Sequence, residues 1–66
     1  MRGTVKWFSA SKGYGFIVSK DAQKDVYVHF SDIKMPGFKN LEVNQDVNFD
    51  LIMTDRGLAA KEVVVD

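Results

Sequence analysis

The run Lys12-Gly13-Tyr14-Gly15-Phe16-Ile17 decides how the rest of the chain is read. Two glycines alternate with two aromatics, a lysine precedes them and a β-branched residue closes the run. Successive side chains of a β-strand point to opposite faces. Tyr14 and Phe16 therefore share one face, and Gly13, Gly15 and Ile17 the other. Glycine offers an inner face no apolar bulk, but it permits bends and close backbone approach. The pattern predicts a curved strand that holds two rings outward beside a cation. Flat partners such as nucleobases are the commonest reason for rings on a surface.

The next segment repeats the alternation. In Asp25-Val26-Tyr27-Val28-His29-Phe30, Val26 and Val28 face one way, and Tyr27 and His29 the other. The polar stretch 20–24 between the two runs has hairpin length, so their outward sets become neighbours. Tyr14, Phe16, Tyr27 and His29 then form a platform, with Trp7 and Phe8 added from an adjoining strand over 2–9. Lys6 and Lys12 stand around it, with Lys39 and Arg56 reaching it from loops. Ser31 is a good N-cap for a single helical turn, which Pro36-Gly37 would end. Residues 34–44 lack strand alternation and read as a long loop carrying Phe38. A fourth strand spans 46–54, and Asp55-Arg56-Gly57 makes a hairpin loop before a fifth over 58–65.

Five short, turn-punctuated strands indicate a small all-β barrel or sandwich. Its expected core is Val5, Ile17, Val26, Val28, Ile33, Val47, Phe49, Leu51, Val63 and Val65. The chain has one Trp, two Tyr and five Phe, and this core uses only one of them. Sixty-six residues form one domain, 1–66, expected to bury only ~60% of its unfolded surface. There is no cysteine for a disulfide or thiolate site, and no run approaching the ~18 apolar residues of a membrane span. A soluble, cytoplasmic domain is the expectation.

The net charge of zero argues at first against a nucleic-acid partner. Its distribution argues the other way. Residues 1–20 hold Arg2, Lys6, Lys12 and Lys20 and no acid, whereas most of the acids lie from Glu42 onward. The basic end is also the end rich in rings. Stacking tolerates any base, so broad binding of single strands is the natural output. A duplex hides its base faces. Two other readings stand beside this one: the charges are ordinary solvated groups, or the rings form a self-association or protein-docking surface. An enzyme is not expected, with one histidine, no cysteine and little volume for a cleft. One isolated histidine makes a poor metal site, and no cofactor is implied.

Lys12–Ile17 resembles the first RNA-binding motif of the bacterial cold-shock proteins, and Val26–Phe30 resembles the second. Lys6-Trp7-Phe8 and Gly37-Phe38-Lys39 also fall where members of that family have them, so the likeness covers nearly the whole chain. The resemblance implies an all-β, five-stranded antiparallel barrel of the OB type. It implies binding of single-stranded RNA and DNA and RNA-chaperone action in transcription and translation, by a monomer or a strand-exchanged dimer. It assigns stacking to Trp7, Tyr14, Phe16, Tyr27, His29, Phe30 and Phe38, and places Phe8 on the same surface. Lys6, Lys12 and Arg56 would meet phosphates or base edges, and Asp25 a base edge. Tyr14 and Tyr27 stand where phenylalanine is usual, Ser9 where asparagine is, and Leu58 where proline is. The first RNA-binding signature of the RRM also resembles Lys12–Ile17, but that fold needs two helices, and no segment here has a 3.6 period.

Overall fold

A computed structural model of the chain describes residues 1–20, 22, 24–34 and 40–65. The strands are β1 (Arg2–Ser9), β2 (Tyr14–Val18), β3 (Asp25–His29), β4 (Asp46–Thr54) and β5 (Gly57–Val65). They close into a barrel in the order β1-β2-β3-β5-β4. All sequence neighbours that pair are antiparallel, as is β1 with β4. The closing contact is different: β3 meets β5 in parallel, through Tyr27 and Ala59. An isolated parallel bridge, Ile33 to Val63, continues that seam. In the closed barrel each strand has a hydrogen-bonded neighbour on both sides.

The barrel interior is filled as the alternation requires. Val5, Ile17, Val26, Val28, Ile33, Val47, Phe49 and Val63 are buried. Leu51 and Val65 pack against this cluster from its margin and remain partly exposed. Leu41 and Ala60 complete the core. Leu41 lies in a stretch without alternation and Ala60 is small, so neither carries a pattern signal. Met53 continues the inward phase of Val47, Phe49 and Leu51 yet is 76% exposed. It pairs with Leu58 next to the β4–β5 turn, beyond the filled part of the barrel.

Two irregularities set which side chains face outward. In β1 the register slips between Val5, which pairs with Ile17, and Trp7, which pairs with Phe16. Lys6 is the extra residue of this bulge, so Lys6 and Trp7 are both exposed although adjacent. In β5 the partners of Asn48 and Asp50 are Val64 and Lys61, which puts an extra residue there, and Glu62 has φ 56. Bulges bend a strand and increase its twist, as a five-stranded closure needs.

The single turn after β3 is a 3-10 turn over Phe30–Asp32, capped by His29 in place of the expected Ser31. The Ser31 backbone N–H donates to His29 Nδ1 at 3.3 Å. The expected sites Phe38 and Lys39, and the Pro36-Gly37 stop, lie outside the described residues.

Candidate nucleic-acid interface

The outer face of β1, β2 and β3 carries two rows of side chains. Trp7, Phe16 and Tyr27 pair across the three strands in one row, and Ser9, Tyr14 and His29 in the next. The rings of Trp7, Tyr14, Phe16 and Tyr27 make one contiguous cluster. Trp7 to Tyr14 is 5.5 Å between centroids, edge-on at 70°, and Trp7 to Phe16 is 6.4 Å at 27°. Tyr14 and Tyr27 stack at 5.8 Å and 26°, and Phe16 meets Tyr27 edge-on at 6.0 Å. Mixed offset and edge-on packing suits ring quadrupoles and holds each ring in place. The cluster is nevertheless accessible, with Trp7 39% and Tyr27 38% exposed.

A second aromatic pair extends the surface. His29 and Phe30 lie 4.6 Å apart, tilted by 42°, and Phe30 is 46% exposed. Gly13 supports it. The Phe30 N–H donates to the Gly13 carbonyl at 2.8 Å, and a Cβ on Gly13 would come within 2.8 Å of the Phe30 ring. Gly13 also has φ +80, a conformation that costs side-chain-bearing residues energy. Gly15 serves by absence too, since a Cβ there would sit 2.2 Å from the Trp7 carbonyl oxygen. The two glycines thus let Phe30 close against Gly13 and β1 close against Gly15.

Phe8 departs from the expectation that it shares the platform. It is half-buried and packs against the core cluster. The β1 bulge explains this, because it turns Trp7 outward with Lys6 and rotates Phe8 toward the interior. The cations divide into two groups. Lys6 Nζ is bonded to Asp25 Oδ2 at 3.0 Å, and Lys61 to Asp32 at 3.4 Å. Lys12 and Arg56 make no ion pair among the described residues.

Arg56 is brought to the platform by its hairpin. Thr54 Oγ1 donates to the Gly57 carbonyl at 2.8 Å and accepts from the Arg56 N–H at 3.2 Å, which restrains the turn without a proline. Arg56 then lines a cleft of ≈ 530 Å³ together with Phe16, Tyr27, Leu58, Ala59 and Lys61. Leu58, Ala59 and Lys61 have no part in the binding surface read from the sequence. The parallel β3–β5 seam carries them there, and local periodicity gives no sign of such a contact.

Residues 1–65 match the family model described as the 'Cold-shock' DNA-binding domain. The chain belongs to the cold-shock domain family. Among similar proteins, the cold shock-like protein of Aquifex aeolicus is 56% identical over 64 residues, covering 97% of this chain and 91% of that protein. Cold shock protein 1 of Lactiplantibacillus plantarum is 58% identical over 62 residues, covering 94% of this chain and 92% of its own. Among solved structures, Drosophila Unr CSD456 superposes with a TM-score of 0.81 at 22% identity, over 98% of this chain and 26% of that one. That likeness establishes a shared fold. This cold-shock domain therefore pairs a five-stranded barrel with a contiguous aromatic surface on three of its strands.

Proposed function

We propose that this cold-shock domain binds single-stranded RNA and DNA by stacking bases on Trp7, Tyr14, Phe16, Tyr27, His29 and Phe30, and so acts as an RNA chaperone in the cytoplasm. The observation that carries the reading is the four-ring cluster of Trp7, Tyr14, Phe16 and Tyr27, preorganised and open to solvent. Lys6, Lys12 and Arg56 supply backbone attraction, and Asp25 offers an acceptor to a base edge.

Magnitudes favour loosening over wholesale melting. A base stacked on an aromatic side chain gains roughly 1–3 kcal/mol, and a duplex step contributes about 1.4 kcal/mol in DNA. A handful of stacked bases therefore offsets a comparable handful of lost steps. Marginal stems open and long duplexes stay closed, with no chemical energy source required. The sequence-tolerant faces of the rings give broad specificity.

Trp7 is the single tryptophan, in contact with Tyr14 and Phe16, so its fluorescence reports on the platform. Titration with a short pyrimidine-rich single strand is expected to quench it strongly, and the matching duplex weakly. Absence of quenching by both, with no binding by a second probe, would overturn the reading in favour of a protein-docking surface.

A further inference from the structure

The aromatic face does not stop at Trp7, Phe16 and Tyr27. Two residues further along β2 the next outward side chain is Val18, ~6.6–6.8 Å on. Val18 pairs with Asp25 on one side and with Thr4 on the other, and Thr4 pairs in turn with Asp46. Asp25, Val18, Thr4 and Asp46 thus form one row across four strands, directly beyond the rings. Val18 is 43% exposed, and it lines a cleft of ≈ 440 Å³ with Arg2, Thr4, Lys20 and Asp46. That volume lies in the ~300–1,000 Å³ range of small-molecule sites.

The lining has the parts a nucleotide needs. Val18 offers an apolar floor for a base face. Thr4 Oγ1 donates to Asp46 Oδ1 at 3.4 Å, which leaves lone pairs on the hydroxyl and the carboxylate to accept from a base. Lys20 is exposed at the rim, and Arg2 is ion-paired with Asp46 at 3.8 Å. We propose that this cleft is an additional nucleotide subsite. It takes the next residue of a single strand leaving the platform, favours a base with an exocyclic amino group facing Asp46 and Thr4, and holds the phosphate with Lys20. The inference rests on the stacking function proposed above and adds to it both a longer footprint and a base preference that stacking alone lacks.

The test uses a strand just long enough to cover the rings, and the same strand extended by one or two nucleotides at the 5′ end or at the 3′ end. One extension is expected to tighten binding roughly two- to fivefold, the scale of one exposed charge contact. Cytosine or adenine in the extension should exceed uracil. Lys20→Gln, an exposed change that leaves the core untouched, should abolish this gain. It should also reduce the salt slope by ~0.7 for the extended strand alone. Asp46→Ala, which removes the acceptor, should erase the preference for an amino-bearing base. An undiminished gain in Lys20→Gln, or no gain from either extension in the unaltered protein, would overturn the subsite. Failure of the platform itself would look different: the short strand would not bind.

Discussion

Lys6 and Asp25 are joined at 3.0 Å across the outer face of β2, at the margin of the aromatic rows. Both side chains are about half exposed, at 56% and 47%. A pair of that kind contributes ~0–1 kcal/mol, so a polyanion can replace the carboxylate as the lysine's partner. In the free protein the pair holds a cation at the platform while masking part of its charge.

Releasing Lys6 should therefore change how binding responds to salt. Asp25→Asn is expected to steepen the log–log dependence of single-strand affinity on salt by ~0.7, one further counterion released. Titrations at several salt concentrations measure it. An unchanged slope would mean that Lys6 does not reach the nucleic-acid backbone.

Tyr27 presents a ring to solvent and lies outside the buried cluster. Tyr27→Ala should thus cost affinity more than stability. The expected loss for a single strand is ~1–3 kcal/mol, from about fivefold to more than a hundredfold. The lost cross-strand contacts should cost the fold only ~0.2–1 kcal/mol. Tyr27→Phe, which keeps the ring, should retain most of the affinity. Fluorescence titration beside thermal unfolding separates the two effects.

At Gly15 the balance reverses. The Cβ of an alanine would fall 2.2 Å from the Trp7 carbonyl oxygen and 2.6 Å from the Phe8 Cα, so β1 and β2 would have to separate. Overpacking of this kind costs ~1–3 kcal/mol or more, since backbone cannot rotate away. Each lost kcal/mol lowers the midpoint of a domain this size by about 4–8 °C. Gly15→Ala is expected to lower the thermal midpoint by that scale and to disturb the Trp7 emission even without ligand. A midpoint equal to that of the unaltered protein would refute the close approach.

Lys34, after the Phe30–Asp32 turn, is ion-paired with Glu62 of β5. The Glu62 hydrogen bond, followed by its charge, raises the Lys34 pKa above its usual value. A raised lysine pKa means that the folded state favours the proton. The stabilisation is complete below the unfolded value of ~10.4 and disappears as pH rises through the folded value. Unfolding midpoints of the protein and of Lys34→Met should keep a constant small offset from neutral pH to about pH 10, then converge. An offset that already falls between pH 7 and 9 would contradict the pairing.

Much of the ring surface was legible in the chain because period-two alternation is a local property. Val26 and Val28 inside require Tyr27 and His29 on the other face, and Gly13 and Gly15 leave Tyr14 and Phe16 outward. Phe8, read beside Trp7 on the platform, packs against the margin of the core, because the Lys6 bulge shifts the phase of β1 between Val5 and Trp7. Leu41 was missed because a loop residue can enter a core through tertiary packing that leaves no periodic mark. The pairing of Lys6 with Asp25 likewise depends on three strands lying side by side.

The sequence by itself determined the strands, their inward valines and isoleucines, and the surplus of aromatics that had to lie outside. Side-chain direction follows from the chain's own geometry over a few residues. Only the tertiary structure decided that β3 closes on β5 in parallel, that Leu58, Ala59 and Lys61 line a cleft with Phe16 and Tyr27, and that Val18 leads from the rings into a cleft beside Lys20. Those relations join residues far apart in the chain. They are set by barrel closure and by bulges in individual strands, which no local pattern of side chains specifies.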